Sequence, residues 1–361
     1  MKKEIICLIL PALFLGCSKK TEEAPPQATP SQQVSAAATA APVQTVIVET
    51  PQAKEINDIS NQVATLFAAK DYDQIDALAA QFLASKEQFA RGGWKLDAVY
   101  VGLGFPQEAA NAEWENHLAD IRAWTRAKPE SITPRVALAD TLIAYAQKAR
   151  GSGWANSVTE DGARLFSQRL SQASQVLSDA AKIKDKCPEY WSAIMTVAMG
   201  MGLDKTRYTS IFDHAITNYP DYQQFYATRA QYLLPRWFGS EGEWESDLTT
   251  SADKIGGEDG DLLYARVVWS IEPFGVISAS HKANTLSWER VQKGFDVIQK
   301  RYPDSLSAIS MRALLASQMG DRNDATKYFE MTQGKIDLAV WHDMDNYNGF
   351  TNWLYARKLK W

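Results

Sequence analysis

Pro303-Asp304-Ser305-Leu306-Ser307-Ala308-Ile309-Ser310-Met311-Arg312-Ala313-Leu314-Leu315-Ala316-Ser317-Gln318-Met319-Gly320-Asp321-Arg322-Asn323-Asp324-Ala325-Thr326-Lys327-Tyr328-Phe329 carries the plainest architectural signal in the chain. Its opening Pro–acid pair closes one apolar-periodic segment and opens another. Proline fixes φ for a helix start, and an acid in the first turn suits the helix dipole. The mark recurs at Pro129-Glu130-Ser131, Pro188-Glu189-Tyr190 and Pro220-Asp221-Tyr222, and two of its copies stand 32 residues apart, 188 to 220.

Helical periodicity begins upstream, at about Glu55. Val63, Leu66 and Phe67 recur at helical spacing, and Lys70-Asp71-Tyr72-Asp73 breaks the run. Ile75, Leu78, Ala79, Phe82 and Leu83 then share one face of a second helix. Two helices joined by a short polar turn make a helical hairpin.

The 32-residue interval is close to the tetratricopeptide period of 34, and the last repeat resembles that family. Ala313, Gly320, Ala325 and Phe329 fall where the family pattern wants small, small, small and aromatic residues. Small residues let two helices approach; the aromatic fills the gap to the next hairpin. The resemblance implies an all-α, tetratricopeptide-like α-solenoid over residues 55–361, degenerate over about 55–128 and clearer over about 129–335. Insertions interrupt the intervals 129–188 and 220–303, and another helical bundle is the alternative. The strings Ala149-Arg150-Gly151-Ser152-Gly153-Trp154, Leu233-Leu234-Pro235-Arg236-Trp237 and Gly239-Ser240-Glu241-Gly242-Glu243-Trp244 resemble an uncharacterised bacterial "domain of unknown function" family over roughly residues 90–335. That resemblance implies a tetratricopeptide-like architecture and no assigned activity.

At the N-terminus Lys2 and Lys3 precede an apolar run from Ile5 to Leu15, interrupted by Pro11. About eleven residues cannot span a bilayer, which needs roughly 20, but they fit the apolar region of a secretory signal. The run ends in Leu13-Phe14-Leu15-Gly16-Cys17, which resembles the lipobox of bacterial lipoproteins, with Phe14 where leucine is usual. The resemblance implies removal of residues 1–16 and acylation of Cys17, several acyl chains holding far better than one. Ser18, rather than an aspartate, follows Cys17, which by the sorting resemblance points to the periplasmic leaflet of the outer membrane. Residues 18–54 are rich in Ala, Pro, Thr, Gln and Ser and are expected to form a disordered tether. A flexible coil of about 37 residues spans roughly 35 Å root-mean-square. Val46-Ile47-Val48 is a small apolar patch that packs back on the domain or does nothing.

The formal charge of −5 argues against a nucleic-acid partner, which needs clustered Lys and Arg. The twelve Trp either fill gaps between helices or line a partner-binding groove. The segment Leu234–Glu245 concentrates the candidates for partner binding: Arg236, Trp237, Glu241, Glu243 and Trp244. Its rival reading is a structural corner, with Pro235 ending a helix and Gly239 and Gly242 turning the chain. Were the chain instead an envelope enzyme acting on glycan or peptide, Glu241, Glu243 or Glu245 would supply the acid.

Gly151 and Gly153 lack the Lys-Ser/Thr that a phosphate loop needs, so they read as a turn. Glu130-Ser131 resembles the catalytic pair of lytic transglycosylases, but the Gly-Leu-Met-Gln string that should follow is absent. The four histidines stand apart, and only His342, beside Asp343 and Asp345, suggests a metal; a polar turn explains it as well. Cys187 reads as an inert thiol. No catalytic residue, metal or cofactor is expected, and the reading is a membrane-anchored adaptor for an envelope protein or peptide, with a structural spacer as a further alternative.

Anchoring can be tested directly. Cys17→Ser is expected to abolish incorporation of a palmitate analogue and to leave unprocessed precursor; continued labelling of the variant would contradict the lipoprotein assignment.

Overall fold

Three of the four Pro–acid marks fold as turns before a helix. The carbonyls of Lys128, Tyr219 and Tyr302 accept from the amides of Ser131, Tyr222 and Ser305 at 3.2, 3.2 and 3.1 Å. That puts proline at the second position of a β-turn, which its fixed φ suits. Only Pro188 begins a helix, with Glu189 in the first turn, so the expectation that each proline starts a helix is corrected. After Pro303 the helix waits for Ser305, whose hydroxyl caps the amide of Ala308 at 3.3 Å. A capping hydroxyl satisfies an amide that would otherwise lack a partner.

The computed structural model describes residues 45–151, 153 and 157–356 and is all-α. Helices α1 (Pro51–Ala68), α2 (Tyr72–Ser85), α3 (Lys95–Gly102) and α4 (Asn111–Ala127) come first. Antiparallel neighbours follow in pairs: α5 (Thr133–Arg150) with α6 (Glu160–Ala180), α7 (Pro188–Gly200) with α8 (Lys205–Asn218), and α9 (Gln224–Tyr232) with α10 (Glu243–Ile255). Helix α11 (Gly257–Ile271) skips the short α12 (Ile277–Lys282) to pack on α13 (Trp288–Arg301). Then come α14 (Leu306–Gln318) with α15 (Arg322–Met331), and α16 (Leu338–Trp341) with α17 (Met344–Tyr355). In the last clear repeat Ala313 and Ala325 are fully buried. The Phe329 ring lies 5.1 Å from that of Phe350 and 5.8 Å from that of Tyr347, filling the gap to the final pair.

Burial divides these helices into two kinds. In α8 only Tyr208, Phe212 and Ala215 are hidden, one stripe of an amphipathic helix. In α11 every residue from Leu262 to Ile271 is hidden. Helices α5, α7, α9 and α11 pack on one another in series and are of this second kind. A helix apolar on all sides needs cover on more than one face. Helices α6, α8, α10 and α13 provide the first layer. The second differs along the row: α4 packs on α5, and α3 reaches Cys187 and Tyr222 beside α7 and α9. The hairpin loop Gln88–Trp94, whose ends form an antiparallel bridge, meets α11. Gly294 sets the closest approach of the first layer: a Cβ there would fall 2.1 Å from the Asp261 carbonyl and 2.5 Å from the Ala265 Cβ of α11.

Folded structure begins earlier than the composition suggests. β1 (Val46–Ile47) pairs in parallel with β2 (Lys335–Ile336), near the opposite end of the chain. Thr50 is buried and caps α1 through a 3.1 Å bond from the Ala53 amide. The boundary expected at residue 54 is therefore corrected to before Val46. The hydroxyl of Thr50 and the ring of Pro51 act as a helix start, which outweighs the polar composition around them. The signal segment 1–16, Cys17 and the tether to residue 44 lie outside the described residues. Among the described residues no helix is long and apolar enough to cross a membrane.

Candidate functional site

The segment Leu234–Glu245 is a corner joining α9 to α10. The Trp237 amide donates to the Leu234 carbonyl at 2.8 Å and the Phe238 amide to the Tyr232 carbonyl at 3.1 Å. Gly239 is obligatory in that wrap, because a Cβ would lie 1.8 Å from the Leu233 carbonyl oxygen. Gly242, at φ +77°, then starts α10. Glu243, Trp244 and Glu245 thus form the first turn of a helix rather than part of a loop.

The expected site residues do not converge. Trp244 is 2% exposed, inside the core rather than on a surface, so its assignment to partner contact is corrected. Glu243 receives Lys205 Nζ at 2.6 Å and both donors of Ser240 at 2.9 Å. The Lys205 bond leads the interactions that hold its carboxyl below the usual range. Glu245 is buried on another face and accepts from the Thr285 hydroxyl at 2.8 Å. Arg236 donates to the Phe274 carbonyl and lies 5.3 Å over the Phe274 ring. Trp237 is half-buried against the core, and Glu241 alone of the three glutamates is exposed. Acid–base hydrolysis of a glycan needs two carboxyls facing each other across a substrate; these three point apart.

The other sequence candidates are also engaged. His342 lies 3.4 Å from Glu272, whose hydrogen bond raises the imidazole above its ordinary value. His117 stacks on Phe105 at 4.6 Å and meets the Leu103 carbonyl at 3.0 Å, with burial lowering its pKa. Cys187 is 2% exposed, and burial pushes its thiol far up, which fits an inert role. Ser152 and Trp154 lie outside the described residues. Among the described residues no group of three or more His, Cys, Asp or Glu is placed to hold a metal.

The notable polar cluster is one the sequence did not point to. Where α3 meets α7 and the 219–222 turn, the Tyr222 hydroxyl lies 3.0 Å from Asp97 Oδ1 and 3.2 Å from Glu189 Oε1. One hydroxyl has a single hydrogen to give two acidic groups, and a proton on either carboxyl lets all three bond without repulsion. Burial raises both pKa values, Glu189 well above the usual range, and the neighbouring Asp97 carboxyl adds to the rise at Glu189. Glu189 is 6% exposed, and its second oxygen has no partner. Beside the pair, the Tyr100 hydroxyl meets Cys187 Sγ at 3.3 Å, and burial pushes Asp140 of α5 up to about 8. Glu189 was legible as a first-turn acid. Its partner Asp97 is likewise a first-turn acid, but it lies 92 positions away and nothing local links the two.

On the cleft that Asp97 also lines, α11 grips the hairpin loop by its backbone. Arg266 Nε donates to the Ala90 carbonyl at 3.0 Å, and Nη1 donates to Gln88 Oε1 at 2.9 Å. The Tyr302 hydroxyl donates to the Gln88 carbonyl at 3.0 Å, and the Ala90 amide donates to Gln52 Oε1 at 3.2 Å. Gly92 sits at φ +103°, and a Cβ there would strike Gln223 Oε1 at 1.9 Å.

The corner makes a definite demand on stability. Trp244→Ala is expected to cost about 3–5 kcal/mol, as for other buried Trp truncations. Arg236→Ala, at an exposed position, should cost much less. Equal losses in urea denaturation would contradict this placement. Comparison with known proteins found no matching family model, no matching curated protein and no matching solved structure.

Proposed function

We propose that this chain is a lipid-anchored cell-envelope protein whose repeat domain, a tetratricopeptide-like solenoid, binds a protein or peptide partner. The anchor rests on Gly16-Cys17 at the end of a short apolar run, and the outer membrane's periplasmic leaflet is the proposed address. The strings at 149–154, 233–237 and 239–244 support membership of the uncharacterised bacterial family they resemble.

The observation that carries the binding reading is the run of packed helical pairs from α5 with α6 to α14 with α15. Stacked helical hairpins offer long surfaces of the kind repeat proteins use for partners.

Affinity capture from solubilised envelope, using the acylated chain, tests this. A small set of envelope proteins should be retained by the whole chain and lost with an acylated control ending at residue 50. Equal retention by both would reduce the domain to a spacer.

A further inference from the structure

We propose that the carboxyl pair Asp97–Glu189 is a proton-dependent latch that holds the N-terminal helices α1–α3 over the helix row α5–α7–α9–α11. Asp97 belongs to the cover and Glu189 to the row, so the pair spans the contact between them. A shared proton makes that contact attractive. Without it, two carboxylates that lie 3.0 and 3.2 Å from one hydroxyl repel in a site that water hardly screens.

The surroundings offer the pair little compensation. On the cover, Lys86 is engaged with Asp221 at 2.9 Å, and Lys95 with Glu55 and Glu87 at 2.5 and 2.7 Å. Arg91 faces Glu272. On the row, Arg266 of α11 is bound to loop carbonyls. The groups that face the pair more closely are Tyr100 of α3, Cys187 before α7, Asp140 of α5, and Tyr219 and Tyr222 of the turn before α9. Each is neutral or anionic. A cleft of about 40 Å³, whose lining includes Asp97, Gln223, Ser270 and the two arginines Arg91 and Arg266, opens beside Asp97. It has room for about a water molecule, enough to carry the proton in and out.

The sign follows from linkage. Both carboxyls titrate above their ordinary values in the folded chain, so the folded contact binds a proton that the open one releases. The contact is strongest at acid pH and weakens as pH rises through the raised values of the pair.

Hydrogen–deuterium exchange on the full chain reads the opening, with exchange times corrected for intrinsic chemistry. Peptides covering 86–103 should exchange at least about ten-fold faster at pH 9 than at pH 5, the equivalent of one pKa unit of linkage. Peptides from α14 and α15 should hold steady. Glu189→Gln and Asp97→Asn should each flatten the dependence. Asp140→Asn should retain it, which separates the pair from the other buried acid nearby. Tyr222→Phe removes a donor that favours the charged forms, so it should move the transition to higher pH. Should both neutralising variants fail to fold, the wild-type profile and the Tyr222→Phe shift still decide. A flat wild-type profile, a dependence untouched by neutralising the pair or abolished by Asp140→Asn, or an unmoved Tyr222→Phe transition would each overturn the latch.

Discussion

Helix α11 has almost no face to give to water. Ten consecutive residues of it are buried, Arg266 among them at 1% exposure. A guanidinium in that position costs free energy unless its donors are met, and burial pulls its pKa down to about 10, still cationic at neutral pH. The Ala90 carbonyl and the Gln88 side chain meet those donors. The tip of the hairpin loop gains partners for polar groups that its own short bridge leaves unpaired. One side chain thus ties the N-terminal helices to the row, and the row's second apolar face depends on that cover.

Much of the fold could be read from the chain because local signals agreed with one another. Lys70 and Asp71, the first half of the expected break, stand between α1 and α2, and Ile75, Ala79 and Phe82 are the buried face of α2. Ala313, Ala325 and Phe329 do what small and aromatic residues do between stacked hairpins. What stayed hidden was long-range. The β1–β2 pairing joins residues almost 290 positions apart through two residues each, too short for any period to register. Similarly, α5 and α9 carry Arg135, Asp140, Gln224 and Arg229, so neither their burial on several faces nor the segments that cover them was legible.

The corner at 234–245 shows how composition misleads about sites. Two Trp, an Arg and three Glu in twelve residues look like a binding surface. Their crowding has a steric origin instead: the chain reverses within a few residues, two glycines permit it, and Trp244 plugs the joint. The Asp97–Glu189 pair is the opposite case. Each is an ordinary first-turn acid in its own helix, and only folding brings the two to one hydroxyl. Close polar groups buried between two separable layers are more informative about behaviour than a cluster of aromatic letters.

Removing residues 1–103 and following the remainder by calorimetry tests this dependence most directly. That deletion strips α1–α3 and the hairpin loop from the helix row and leaves Arg266 without its carbonyls. The truncated chain should melt broadly and far below the whole chain, and bind a dye specific for exposed apolar surface. A sharp transition at the whole chain's temperature, with no dye binding, would show that the row stands without its cover.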